Sequence, residues 1–269
     1  MSSINNNIKK VNIQNIINSK NSKKLTMITA YDALFSNLFD GIVDMILVGD
    51  SLNMSFSNNE DTLKISLKNM IYHTKAVCSA SSSSFIILDM PFGTYSNKKQ
   101  ALKNAVKVYK KTNANAIKIE GGKEKSKIIK HLTKNSIAVM GHIGLMPQNI
   151  RIEGTYQVKG KIKEEEKRLI KDAIALQKAG VFCIVVEAVK SNVAQKITQA
   201  VNIPVIGIGS GSKTDGQVLV YSDMLGLNTK FKPKFVKKYL NGANLIQNAI
   251  KKYKEEVQKE IFPSKEEEY

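Results

Sequence analysis

Five apolar runs in this chain each end on residues able to hold a cation or move a proton. Met45–Ser51 reads MILVGDS, Ser84–Phe92 SFIILDMPF, Ala116–Gly122 AIKIEGG, Ile137–Gly144 IAVMGHIG and Phe182–Val189 FCIVVEAV. The groups so placed are Asp50, Asp89, Lys118, Glu120, His142 and Glu187. Asp50, Asp89 and Glu120 are hard oxygen donors. Three carboxylates brought together repel one another, and a divalent cation removes that cost. Ligation by oxygen alone favours Mg2+ or Mn2+ over zinc, which takes His and Cys. Each acid taken singly could instead cap a following helix; for all three together a shared metal site is the stronger reading.

Lys118 precedes Glu120 by two residues, so in a strand both side chains face the same way. A buried lysine needs a partner. A substrate carboxylate would serve, and so would a plain ion pair with Glu120 or Asp89. His142 could donate a hydrogen bond to substrate or be a satisfied structural histidine. Glu187 ends the most apolar run, and apolar surroundings raise a carboxylate's pKa toward that of a base useful near neutrality. Lys190, three residues on, is a candidate partner that would lower it. His73 and His131 fall in helical patterns and read as surface or packing residues.

The elements that must position these groups alternate. Strands are expected at Leu25–Tyr31, Met45–Gly49, the IILD run, Ala116–Glu120, Ile137–His142, Phe182–Glu187, Pro204–Gly209 and Gly216–Tyr221. Helical spacing appears from Ala33 and at Ser66–Ala80, Lys98–Lys111, Lys125–Lys134, Glu164–Ala179 and Asn192–Val201. Strand–helix alternation forces a parallel sheet, and eight such units in one chain read as a (β/α)8 TIM barrel, with a doubly wound sheet as the alternative. In such a barrel every strand C-terminus opens on one face, so the six groups converge there. The Ser81–Ser84 run reads as a turn and Leu145–Lys163, with Pro147, Gly154 and Gly160, as a functional loop. IGIGSG (Ile206–Gly211) lacks the ending of a phosphate-binding P-loop and reads as a tight turn. A single domain over 1–269 is expected, with residues 1–13 disordered and C-terminal helices over 233–262 that break near Asn241–Gly242.

Composition narrows the partners. The chain has 269 residues and a formal charge of +18. All of its 41 basic residues except Arg151 and Arg168 are lysines, scattered along the whole length. Nucleic-acid readers rely on the planar arginine fork, so no specific nucleic-acid partner is expected. No apolar run approaches a membrane span, the N-terminus has no signal-peptide pattern, and Cys78 and Cys183 lie in apolar contexts. A cytoplasmic location is expected.

TAYD (Thr29–Asp32), VGDS (Val48–Ser51), HT (His73–Thr74), DMPF (Asp89–Phe92), KIEGG (Lys118–Gly122), GHIGLMPQ (Gly141–Gln148), IGIGSG and DGQVLV (Asp215–Val220) follow one another as in the ketopantoate hydroxymethyltransferase family, which this chain resembles from about Ile13 to Pro263. The resemblance implies a Mg2+-dependent barrel of the phosphoenolpyruvate mutase/isocitrate lyase kind. It implies transfer of a hydroxymethyl group from 5,10-methylenetetrahydrofolate to 3-methyl-2-oxobutanoate, giving 2-dehydropantoate for pantothenate biosynthesis. It also implies metal ligation by Asp50, Asp89 and Glu120, contacts of the keto acid with Asp50, Ser51, Asp89 and Lys118, with His142 beside them, Glu187 as base, and a homodecamer built as a pentamer of dimers. One alternative is a Mg2+-dependent C–C lyase or mutase on the same scaffold. That chemistry is expected to carry a loop cysteine and several arginines, whereas Cys78 and Cys183 fall in a helix and a strand. A non-catalytic polyanion-binding protein is suggested by charge alone.

Overall fold

The computed structural model describes residues 10–229 and 233–269. Two compact units divide the chain, residues 1–220 and 221–269. In the first, eight strands form a closed barrel: β1 Leu25–Thr29, β2 Met45–Val48, β3 Phe85–Asp89, β4 Ala116–Glu120, β5 Val139–Gly144, β6 Cys183–Glu187, β7 Val205–Ile208 and β8 Gly216–Leu219. All neighbours are parallel, and β8 pairs with β1. That last pairing rules out the doubly wound alternative, whose sheet has two open edges. Strand ends differ from expectation by one or two residues. β5 shows the largest shift, because Ile137 and Ala138 lead into it while Ile143 and Gly144 pair onward with β6.

The helices of this unit are α1 Ile13–Ile17, α2 Ala33–Phe39, α3 Leu52–Ser55, α4 Leu67–Ser79, α5 Lys98–Lys111, α6 Ser126–Lys134, α7 Ile150–Glu153, α8 Lys163–Lys178 and α9 Ser191–Ala200. Three of them were not expected: α1 precedes β1, α3 lies in the connection after β2, and α7 lies in the loop after β5. Of the stretch expected to be disordered, residues 1–9 fall outside the described residues. Val11 donates its amide to Ser83 O at 2.8 Å, and Ile13 opens α1.

Alternation decides what fills the barrel. Met45 and Leu47, Phe85 and Ile87, Ala116, Met140, Cys183 and Val185, Ile206 and Ile208 belong to one buried cluster, with Ile16 of α1 packed on it. Two residues further along their strands, the same inward face carries Asp89, Lys118, His142 and Glu187. The interior is therefore apolar toward the strand N-termini and ionisable toward the C-termini. At the apolar end, Lys20 Nζ reaches Asp215 Oδ2 at 2.8 Å and Thr198 O at 2.7 Å. The same Asp215 oxygen accepts the Val205 amide at 2.9 Å, so the aspartate of DGQVLV is a structural tie.

The serine run is more than a turn. Asp40, at the end of α2, accepts the Ser81 hydroxyl at 2.7 Å and the amides of Ser82 at 2.8 Å and Ser84 at 2.8 Å. Burial raises its pKa, but these donors overcome burial and hold the carboxyl well below the usual carboxylate range. A carboxyl whose folded pKa is depressed adds stability above its unfolded pKa and loses it as pH falls through the folded value. Asp40→Ala should cost about 1–2 kcal/mol at pH 7, with partial exposure limiting the loss. Thermal unfolding of both proteins should show that gap in full above about pH 5 and narrowing below about pH 4. A gap independent of pH would mean that the carboxylate charge contributes nothing.

In the second unit, α10 Tyr221–Met224 is followed, past residues 230–232, by turns and then by α11 Gly242–Gln258. The expectation of helix from residue 233 is corrected here. Phe235, Val236, Tyr239 and Leu240 have helical spacing, but the Tyr239 amide goes to Met224 O at 2.8 Å and the Gly242 amide to Leu225 O at 2.9 Å. Those donors are taken by a neighbouring segment, and the expected break at Asn241–Gly242 is where the helix begins.

Candidate active site

The six strand-end groups meet at the barrel mouth. Asp50, Asp89, Lys118, Glu120 and His142 are all at most 4% exposed. Strand register does much of this: Asp89 sits beside Lys118, Glu120 beside His142, and Gly144 beside Glu187. Lys118 Nζ lies 3.0 Å from Asp89 Oδ1 and 4.0 Å from Glu120 Oε1. The ion-pair reading of Lys118 thus holds in the protein by itself. None of the three acids has a helix-capping role; their donors are Lys118, the Asp50 backbone amide and Gln148.

Gln148 was not picked out as a site residue. It stands in a 3-10 turn that Pro147 opens after β5. Its Nε2 donates to Asp50 Oδ2 at 2.8 Å and to Met90 O at 3.0 Å, and its amide donates to Glu120 Oε2 at 3.1 Å. Tyr95 OH donates to its Oε1 at 2.5 Å. Sequence held only the PQ of GHIGLMPQ as a signal for it, and none for Tyr95. Ser51 Oγ, expected at the substrate, lies 2.9 Å from Tyr31 OH. His73 was read as a surface or packing residue. Its Nδ1 is 2.7 Å from Tyr31 O, which ties α4 to the loop after β1.

The charges are strongly coupled. Burial, then repulsion from Asp89 and Glu120, pushes Asp50 well above the usual carboxylate range. Asp89 is raised by burial and by Glu120, against the pull of Lys118. Burial raises Glu120, but Lys118 and the Gln148 amide pull it down, as does His142 whenever its ring is protonated, and it is held low. Lys118 stays firmly charged, because Asp89, Glu120 and Asp50 outweigh burial. Asp89 Oδ1 and Glu120 Oε1 are buried without a well-aligned hydrogen-bond donor. Crowded anions with orphaned oxygens fit a divalent cation. Among the described residues, however, no three His, Cys, Asp or Glu side chains are positioned to hold an ion by themselves. A metal here would need further oxygens from substrate or water.

His142 links this cluster to Glu187. Its Nδ1 is 2.9 Å from Lys118 Nζ and its Nε2 is 3.2 Å from Glu187 Oε2. Burial and the Lys118 ammonium push its pKa down, while Glu120 and Glu187 push it up, and the balance lies above the usual histidine value. The short contact with Lys118 argues otherwise. An ammonium can only donate, so Nδ1 accepts and the ring is neutral with its proton on Nε2, toward Glu187. We favour the neutral ring, since an imidazolium N–H facing an ammonium at 2.9 Å would be repulsive.

Glu187 is the least enclosed of the group, with its side chain 21% exposed. Its position is fixed from three sides. The Leu145 amide donates to Glu187 O at 2.8 Å. Gly144 lets that carbonyl approach: its φ is +99°, and a Cβ there would meet Glu187 O at 2.3 Å. Ala188 takes a left-handed φ of +49°, a strain offset by its amide bond to Ile208 O at 2.8 Å. Ser210, in the turn formed by IGIGSG, donates to Val186 O at 2.8 Å. Lys190 does not pair with Glu187: it is exposed, and the described ion pair of Glu187 is with His142.

Residues 10–265 match the family model described as ketopantoate hydroxymethyltransferase. The chain belongs to the ketopantoate hydroxymethyltransferase family. It is 66% identical over 269 residues, all of both chains, to a 3-methyl-2-oxobutanoate hydroxymethyltransferase of Aliarcobacter butzleri. It is 56% identical over 262 residues, 97% of each chain, to one of Helicobacter pylori. A family member is an enzyme of the transferase class, so neither the lyase or mutase alternative nor the non-catalytic one is supported. Among solved structures, phosphonopyruvate hydrolase with oxalate and Mg2+ aligns with a TM-score of 0.61 at 12% identity, covering 95% of this chain and 92% of the other. The 2,3-dimethylmalate lyase, a PEP mutase/isocitrate lyase superfamily member, aligns with a TM-score of 0.59 at 12% identity, covering 95% and 91%. At that identity the likeness establishes the barrel type and nothing further.

Proposed function

We propose that this protein transfers a hydroxymethyl group from 5,10-methylenetetrahydrofolate to 3-methyl-2-oxobutanoate, forming 2-dehydropantoate in pantothenate biosynthesis. The observation that carries the proposal is a buried carboxylate trio with Lys118 and a more open Glu187, in a chain 66% identical to a protein named for this reaction. Asp50, Asp89 and Glu120 would hold Mg2+. Bound there, Mg2+ supplies Lewis acidity that makes the C3–H of the keto acid removable. Lys118 offers a fixed positive charge to the keto-acid carboxylate, and Asp50, Ser51, Asp89 and His142 lie within the same pocket. Glu187 takes the C3 proton, and the Nε2–H of neutral His142 orients the Glu187 carboxylate and stabilises its charge. The C3 carbanion forms a bond to the folate methylene carbon as the first of its two carbon–nitrogen bonds breaks, water supplies the hydroxyl as the second breaks, and tetrahydrofolate leaves with the C3 proton and one water proton on its two nitrogens.

A homodecamer is what the family resemblance implies, and a cytoplasmic location is what the cysteine usage suggests. The two free thiols, Cys78 and Cys183, fit a reducing compartment. No described helix is long and apolar enough to cross a membrane.

Incubation with both substrates should yield 2-dehydropantoate, detected by mass spectrometry. Prior EDTA treatment should abolish the product and Mg2+ should restore it. No product under metal-replete conditions would reject the proposal.

A further inference from the structure

The Gln148 side chain sits where a glutamine has one workable orientation. Asp50 Oδ2 at 2.8 Å and Met90 O at 3.0 Å can only accept, so both need the amide NH2. Tyr95 OH at 2.5 Å then donates to Oε1. A flipped amide would set its oxygen against a carboxylate and a carbonyl. Tyr95 is itself 6% exposed and Gln148 5%, so water does not compete for these bonds. The effect on the carboxylates is specific. Asp50 Oδ2 and Glu120 Oε2 are occupied by Gln148, through its side chain and its backbone amide. Asp89 Oδ2 is occupied by the Asp50 amide at 3.2 Å. Each acid thus has one oxygen tied to an amide N–H, while Asp89 Oδ1 faces the Lys118 ammonium at 3.0 Å and Glu120 Oε1 has no aligned donor.

We infer that Tyr95 and Gln148 are positioning residues that hold Asp50 and Glu120 as one-oxygen ligands and so tune the site to a small octahedral cation over Ca2+. The inference rests on the metal reading of Asp50, Asp89 and Glu120 proposed above. Its physical basis is coordination number: Ca2+ takes six to eight oxygens and readily uses bidentate carboxylates, whereas Mg2+ requires near-octahedral geometry. A carboxylate pinned by one oxygen is a poor bidentate ligand. Tyr95 touches neither acid's carboxylate through its hydroxyl bond to Gln148; it acts by keeping the amide from turning.

The test uses the full-length protein and Mn2+ as probe, titrated by electron paramagnetic resonance with Ca2+ as competitor. Gln148→Met keeps the side-chain volume and removes all three side-chain bonds. Its Mn2+ affinity should fall roughly 10- to 100-fold, the range seen when groups behind metal ligands are removed. Ca2+ should become a several-fold better competitor relative to Mn2+. Tyr95→Phe should move both readouts the same way by a smaller factor, and it carries the test if Gln148→Met fails to fold. The double variant should bind much like Gln148→Met, with any further loss limited to the contact of the Tyr95 hydroxyl with the Glu120 backbone. Wild-type affinities and Ca2+ competition in the folded single variants would overturn the inference and leave the metal site standing. Multiplying effects in the double variant would also overturn it. Failure of the wild-type protein to bind Mn2+ would remove both readings together.

Discussion

Asp89→Asn should leave a folded protein whose turnover is lost by at least about three orders of magnitude, the scale of removing several kcal/mol of metal-derived stabilisation. Asp89 is 2% exposed, accepts the Asp50 amide through Oδ2, and presents Oδ1 to Lys118. Asparagine keeps the shape and one acceptor oxygen but loses the charge. Two consequences for stability oppose each other. Lys118 loses its 3.0 Å partner, and removing one member of a buried pair is costly. At the same time Asp50 is relieved of a repelling neighbour that contributes to its raised pKa. The melting temperature is therefore expected to move little compared with activity. Calorimetric titration with Mg2+ and 3-methyl-2-oxobutanoate should show binding in the wild-type protein and none in the variant. Unchanged binding would remove Asp89 from the site.

Glu187→Gln should separate proton abstraction from carbon transfer. With Mg2+ and no folate, the wild-type protein should exchange the C3 hydrogen of 3-methyl-2-oxobutanoate with D2O. Proton NMR would show the methine signal vanish and the methyl doublet collapse. Glutamine keeps the shape of the side chain whose Oε2 lies 3.2 Å from His142 Nε2, while basicity is removed. Exchange should fall by roughly two orders of magnitude or more, the usual contribution of a positioned base. Binding of metal and keto acid should survive, because Glu187 is not among the proposed ligands. Near-normal exchange would place the base elsewhere, with His142 the next candidate. Lys190→Gln should leave the acidic limb of the exchange profile unmoved, since Lys190 is exposed and unpaired with Glu187 among the described residues; a shifted limb would restore the coupling.

Sequence alone was enough to place Asp50, Asp89, Lys118, Glu120, His142 and Glu187 on one face of one barrel. The reason is that strand–helix alternation forces parallel strands, and parallel strands carry all their C-termini to one side. Period-2 alternation likewise put Lys118 and Glu120 on the inner face, where their side chains now lie 4.0 Å apart. These are local regularities, and local regularities can be read along a chain. Closure was read from the count of eight units and not from any local pattern: an open and a closed parallel sheet share the same alternation, and the β1–β8 pairing decides between them. The partners of the site could not be read. Gln148 and Tyr95 are 53 residues apart and meet only because the turn after β5 folds over the loop after β3. Asp40 and the serine run, or Glu187 and His142, are joined in the same way across the sequence. The segment before α11 shows the converse. Its apolar spacing is helical, yet its amides pair with residues 224 and 225, and a long-range partner overrides a weak local propensity. The sequence thus determined which groups reach the mouth of the barrel. The tertiary structure decided which carboxylate oxygens accept from Gln148, from the Asp50 amide and from Lys118, because hydrogen bonds between distant segments leave no periodic trace.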